Sequence, residues 1–157
     1  MTTNSTTECN HLDGSDEVCL EVPAKMGCRN VVMRTVSAFC NLAGSASHVQ
    51  GSDFCINLLS AVGEAYNNIV LHGYAGRKPG QIQMKIRNCC NCVRVEIRDT
   101  GSSFDPAQAP APDLASLPES GLGIFLMRSM VDELSYVAGS PNVLTLIKRL
   151  APSCETG

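Results

Sequence analysis

The chain is poor in charge: only 17% of its residues are Asp, Glu, Lys or Arg, while 44% are hydrophobic. Soluble domains usually carry roughly 25% charged residues. A chain of this balance has ample apolar surface to bury, which excludes disorder along its whole length. Long hydrophobic runs are missing too. Every extended helical stretch is interrupted by Glu, Asn or Arg, and none approaches the roughly 20 apolar residues that span a bilayer. No excess of one charge stands out either, because 12 basic and 15 acidic residues leave a net charge of −3 spread along the sequence. That offers no electrostatic footprint to a nucleic acid or an anionic membrane, and a protein or small-molecule partner is the expectation. The opening MTTNSTTECNHLDGSDE has neither a basic stretch nor an apolar one, and the first basic residue is Lys25. It does not read as a signal peptide, so a cytoplasmic location is expected.

A length of 157 residues is about one domain, enough to hide roughly 70% of the surface an unfolded chain exposes. Residues 1–16 are rich in Thr, Ser, Asn and Asp without periodicity and read as a tail; 17–150 hold the folded domain and 151–157 a second short tail. Nine cysteines are an odd number, and Cys28, Cys40 and Cys55 sit among apolar residues as small core groups. The run Asn88-Cys89-Cys90-Asn91-Cys92 contains one C-x-x-C spacing. It reads either as a cysteine-rich hairpin turn or as half of a zinc or redox site that lacks its second half.

Periodicity divides the rest. Val18, Leu20 and Val22 alternate with Glu17, Cys19 and Glu21 as in a half-buried strand closed by Pro23. A helix is predicted over about 25–42, with Met26, Met33, Val36 and Cys40 on one side. A second helix runs from about Gly51 to Leu71. Steps of about 100° per residue gather Leu58, Val62, Ala65, Tyr66, Ile69 and Gly73 on one face and Glu64, Asn67, Asn68 and His72 on the other. Gln81–Arg87 and Val93–Asp99 alternate as an antiparallel hairpin, and residues 100–120, with four prolines, read as a long functional loop. A helix over Gly121–Val137, with Leu122, Phe125, Leu126, Met130 and Leu134 at helical spacing, and a strand over Asn142–Leu150 complete the order β-α-α-β-β-α-β. The expected class is α+β: a two-layer α/β sandwich with one mixed, mostly antiparallel sheet and its helices on one face.

Three separated segments carry polar groups suited to one ligand. Glu64 and Asn68 stand one helical turn apart, with His72 continuing the stripe. An amide oxygen suits Mg²⁺, which keeps waters and phosphate oxygens as its other ligands, and a carboxylate one turn away can take a proton from a hydroxyl. The same stripe is also what a solvated helix face looks like. Asp99-Thr100-Gly101 ends a buried strand with a carboxylate that can accept from an exocyclic amine, next to a glycine that lets a flat ring approach; it is equally an ordinary strand exit. Ser120-Gly121-Leu122-Gly123 opens a helix after the long loop, where free amides and the helix dipole favour phosphate, or where a hinge is needed.

Taken together, EAYNNIVLHGY, RDTGSSFDP and ESGLGIFLMRSMVDELSY resemble the N, first Gly and second Gly boxes of the GHKL, or Bergerat-fold, ATPases. The single-domain length, the His-Gly-Tyr after the N box and the compact lid are similar to the anti-sigma factor serine kinases of that superfamily. The resemblance spans about 17–150. It implies the Bergerat ATP-binding fold, with ATP and Mg²⁺ as cofactors, Asn68 on the magnesium, Glu64 as general base and Asp99 on the adenine amine, with Gly101 against the ring. Ser120, Gly121, Leu122 and Gly123 would hold phosphates, and His72 and Thr145 would lie at the nucleotide. His72 and Tyr74 match the family's H-x-Y, which is also what a polar pair packing the helix end looks like. Ser103 stands where the family usually has a second glycine, and Leu144-Thr145 where relatives usually have Gly-Thr.

The activity implied is a serine/threonine-protein kinase that phosphorylates a STAS-domain anti-anti-sigma protein, alternately sequesters a sigma factor, and forms a homodimer, with Arg34 touching the partner. The alternative is a nucleotide-binding module that captures a protein without phosphotransfer. Histidine kinases need a helical hairpin to carry their phospho-accepting histidine, and gyrase-like or chaperone-like ATPases need further domains, so neither fits 157 residues with three histidines.

Overall fold

A computed structural model of the chain describes residues 16–47, 52–89, 91–104 and 122–150. The elements are β1 (Glu17–Pro23), α1 (Arg29–Ser47), α2 (Ser52–Asn68), β2 (Gln81–Cys89), β3 (Cys92–Asp99), α3 (Leu122–Met130), β4 (Glu133–Val137) and β5 (Asn142–Arg149). A 3-10 turn (Met26–Cys28) precedes α1 and a π-helical turn (Ile69–Gly73) extends α2. The sheet order is β1-β2-β3-β5-β4. Every pairing among the described residues is antiparallel, in keeping with the mostly antiparallel sheet expected.

Register explains the two layers. Leu20, Met84, Ile97, Leu144 and Tyr136 lie opposite one another across the five strands, as do Val18, Ile86, Val95, Leu146 and Leu134. These rows form the face against which the helices pack. Alternation puts Glu17, Glu21, Lys85, Arg87, Glu96 and Arg98 on the other face, where Glu17 pairs with Lys85 and Arg87, and Glu96 with Arg98. Such exposed ion pairs contribute roughly 0–1 kcal/mol each; the buried rows do the stabilising. α1 brings Val32, Val36, Phe39, Cys40 and Ala43 to the core, and α2 brings Leu58, Ala61, Val62, Ala65 and Tyr66, each of these five fully buried. A fully buried aliphatic side chain contributes about 1.5–3 kcal/mol. Tyr66 is also satisfied at its polar tip, its hydroxyl donating to the Lys25 carbonyl at 2.7 Å. Burial pushes that hydroxyl's pKa up.

The segment 121–137 departs from the single helix expected there. α3 ends at Met130, and β4 pairs with β5 from Glu133 to Val137. The chain turns because the Asp132 amide donates to the Ile147 carbonyl at 2.9 Å and the Asp132 carboxylate accepts from the Arg149 amide at 2.6 Å. Leu134 and Tyr136 then face inward while Glu133, Ser135 and Val137 face out. The buried side of α3 is also rotated from the expected stripe: Met127 is inside, whereas Leu122 and Phe125 are more than a third exposed. The Cys89-Cys92 spacing is a hairpin, the two residues facing each other across the β2–β3 turn. Burial, and then the neighbouring Cys89, push the Cys92 thiol up to about 12, which disfavours the reactive thiolate. Cys90 lies outside the described residues, and no group of three or more potential metal ligands occurs among the described ones. No helix among them is long and apolar enough to cross a membrane.

Candidate active site

α2 presents its two faces to different tasks. Because Leu58, Val62, Ala65 and Tyr66 are buried against the sheet, the 3.6-residue period turns Glu64 and Asn68 away from the core, where both are partly exposed. The start of α3 lies directly on them. A β-carbon built on Gly123 would stand 2.9 Å from Glu64 Oε2 and 3.6 Å from each amide atom of Asn68. Any larger residue at 123 would push into the carboxylate, so the glycine keeps a small space open between the two helices. Asn68 Nδ2 is buried there without a hydrogen-bond partner among the described residues. A buried polar group left unpaired costs about 1–3 kcal/mol; as an N–H donor, this one suits an acceptor such as a phosphate oxygen.

The second segment docks at the far end of α2. Asp99 is buried at 4% exposure, and its Oδ1 accepts from the Gly101 amide at 2.7 Å. The Ser102 amide donates to the Gly73 carbonyl at 2.7 Å. The direction in which a side chain at 101 would stand is filled by that same carbonyl, 2.8 Å from a notional β-carbon. Gly101 is therefore required by the packing of the chain on itself, before any ring approaches. Tyr74 fastens the same exit: it is buried, and its hydroxyl accepts from the Thr100 amide at 3.0 Å. The next residues are pinned too, the Phe104 amide donating to the Tyr136 hydroxyl at 3.1 Å with the two ring centroids 4.5 Å apart and the rings tilted by 31°.

The structure thus brings Glu64, Asn68 and Gly123 to one point and joins Asp99 and Gly101 to the end of the same helix. His72 sits on the π-helical turn, exposed, and no hydrogen bond among the described residues ties its ring to them. Ser120 and Gly121 lie outside the described residues, and Leu122 is 36% exposed at the first position of α3. Arg34 is elsewhere, on α1, lining a shallow groove with Val18, Thr35, Ala38, Phe39 and Leu42.

Thr145 requires a correction. It lies opposite Glu96 and Ser135, which places it on the sheet face away from the helices, across the layer from Asp99. The residue that does reach Asp99 is Asn142, at the start of β5. It is fully buried, and its Nδ2 donates to Asp99 Oδ1 at 3.2 Å. Sequence reasoning missed it, although it shares strand parity with the inward Leu144 and Leu146.

A magnesium ion bridged to a triphosphate fits these residues. The ion needs few protein ligands, since waters and phosphates complete its octahedron; Asn68 Oδ1 is the oxygen that would hold it, with Nδ2 free to donate to a phosphate oxygen, beside a carboxylate and in a space kept open by Gly123.

Comparison with known proteins places the chain in a family. The family model described as "Histidine kinase-like ATPase domain" matches residues 29–148. The serine/threonine-protein kinase BtrW of Bordetella bronchiseptica is 39% identical over 94 residues, 57% of this chain and 66% of that one. The serine-protein kinase RsbW of Bacillus subtilis is 28% identical over 146 residues, 88% of each chain. An anti-sigma F factor of Clostridium botulinum is 32% identical over 82 residues, 48% of this chain and 55% of that protein. The chain belongs to the histidine kinase-like ATPase domain family, the GHKL or Bergerat-fold ATPases. Within it the chain is of the serine/threonine-protein kinase type, a protein phosphotransferase that binds ATP.

Proposed function

We propose that the chain phosphorylates a serine or threonine of a STAS-domain anti-anti-sigma protein and alternately sequesters a sigma factor, acting as a homodimeric partner switch. The names of its relatives, serine-protein kinase RsbW and anti-sigma F factor, support that reading, and the approach of Gly123 to Glu64 and Asn68 carries it chemically. Asn68 holds the magnesium ion through its side-chain amide. Glu64 accepts the proton of the attacking hydroxyl. Ser120, Gly121, Leu122 and Gly123 hold phosphate oxygens at the start of α3, and Asp99 accepts from the adenine amine. Mg-ATP supplies the transferable phosphoryl group and the positive charge that screens its oxygens. Arg34 contacts the protein partner from the groove on α1. A phosphate placed on the partner adds roughly two negative charges at the interface and ejects it, freeing the kinase for the sigma factor.

The test is mass spectrometry of a STAS-domain protein after incubation with the chain, ATP and Mg²⁺. A gain of one phosphate is expected with the native chain. Glu64→Ala should abolish that gain while leaving nucleotide affinity, read by calorimetry, nearly unchanged. No gain with the native chain would leave the alternative standing, a nucleotide-binding module that captures its partner without phosphotransfer.

A further inference from the structure

Asn142 uses every hydrogen-bonding capacity it has. Its Nδ2 donates to Asp99 Oδ1 at 3.2 Å and to the Gly101 carbonyl at 3.0 Å. Its Oδ1 accepts from the Ser103 hydroxyl at 2.6 Å and from the Gly139 amide at 3.1 Å. Two donors and two acceptor sites are the full complement of a side-chain amide. The orientation is locked, because turning the amide over would aim its NH₂ at the Gly139 N–H and its oxygen at a carboxylate and a carbonyl.

The effect falls on Asp99. One carboxylate oxygen is held by both Asn142 Nδ2 and the Gly101 amide, while no hydrogen bond from the described residues reaches the other. Two donors on Oδ1 stop the carboxylate from rotating, so Oδ2 is presented as a fixed acceptor. A fixed acceptor discriminates by chemistry. A purine with an amine at position 6 donates to it; one with a carbonyl there brings an oxygen against a buried carboxylate.

We propose that Asn142, with Ser103 as its second-line support, is a positioning residue that fixes Asp99 as a pure acceptor and thereby makes the site select 6-amino over 6-oxo purine nucleotides. The proposal rests on the assignment of Asp99 to the adenine amine. It also joins two positions at which the chain departs from its family's pattern or expected site: Ser103, found where a glycine is usual, donates to Asn142, the residue that stands at Asp99 where Thr145 was expected.

The experiment is calorimetric titration of the whole protein with ATP and with inosine triphosphate, in which a carbonyl replaces the 6-amine, both with Mg²⁺. The native chain should prefer ATP by on the order of 10- to 100-fold, the range of one hydrogen bond to a charged group. In Asn142→Ala the preference should collapse to roughly threefold or less. Ser103→Ala, at an exposed position, should reduce it partly and keeps the idea testable if Asn142→Ala does not fold. A merely structural role would weaken both nucleotides in parallel and leave their ratio intact; that result overturns the proposal while Asp99 keeps its assignment. Equal affinity of the native chain for the two nucleotides would overturn the Asp99 assignment and the proposal together.

Discussion

Replacing Gly101 by alanine should be among the most damaging single-methyl additions in this fold. The new β-carbon would stand 2.8 Å from the Gly73 carbonyl oxygen, 2.9 Å from its carbon and 3.0 Å from Asp99 Oδ1. The first two are main-chain atoms at the end of α2, so no rotamer change relieves them. Separating the segments costs the Ser102-to-Gly73 hydrogen bond, about 1 kcal/mol, and loosens the Gly101 amide on Asp99, about 1.5–3 kcal/mol for a bond to a charged acceptor. Lower entropy of the unfolded chain returns about 0.4–1 kcal/mol. The expected net loss is about 2–3 kcal/mol, with adenine nucleotide affinity falling alongside. The chain has no tryptophan, so urea unfolding is best followed by far-ultraviolet circular dichroism. Gly27→Ala is the matched control, since nothing lies within 4 Å of its notional β-carbon. If the two variants unfold within about 0.5 kcal/mol of each other, the spread of ordinary surface changes, the argument from close approach is wrong.

Other consequences can be checked directly. Gly123→Ala comes too close only to the mobile end of Glu64, at 2.9 Å, and meets Asn68 at an ordinary 3.6 Å, so its unfolding free energy should move by less than about 1 kcal/mol. Displacement of the base should nonetheless cut phosphoryl transfer on the order of 100-fold; an unchanged single-turnover rate would remove Glu64 from the reaction. Tyr66→Phe deletes the donor to Lys25 and Pro23 and should cost about 0.5–1.5 kcal/mol in urea titration, the net worth of one hydrogen bond, since both carbonyls keep a backbone amide. Burial, and then Cys55 beside it, push the Cys40 thiol from 9.0 up to about 12. The protonated thiol is thus favoured by folding, so its contribution is complete below about pH 9 and is lost as pH climbs toward 12. Cys40→Ala should show a shallower alkaline loss of stability than the native chain. Iodoacetamide at pH 8 should label exposed Cys19 before Cys40 or Cys92, an order that peptide mapping reads.

Much of this was legible because the relevant signals are local. Period two gave β1, β2, β3 and β5, and the two faces of α2 followed from stepping around a helix. The failure at 121–137 comes from the choice between two periods over a short stretch. Leu126, Met130 and Leu134 are four residues apart, so the run to Val137 fits a helix; yet Leu134 and Tyr136 also alternate with Glu133, Ser135 and Val137. Only the vacant edge of β5 decides for a strand. Thr145 was placed by likeness to a Gly-Thr pattern, whereas parity with Leu144 and Leu146 sends it to the other face and brings Asn142 inward. The four-bond arrangement at Asn142 joins residues 99, 101, 103, 139 and 142, and no spacing rule connects such positions.

The helix that carries Glu64 and Asn68 is also the one whose opposite side holds Leu58, Ala61, Val62, Ala65 and Tyr66 with no solvent exposure. Genetic selections for loss of signalling should therefore recover interior alleles of this segment as readily as alleles of the carboxylate itself. Telling them apart requires protein abundance as well as phenotype, for an interior allele lowers the amount of kinase while a Glu64 allele leaves a full complement of inert protein.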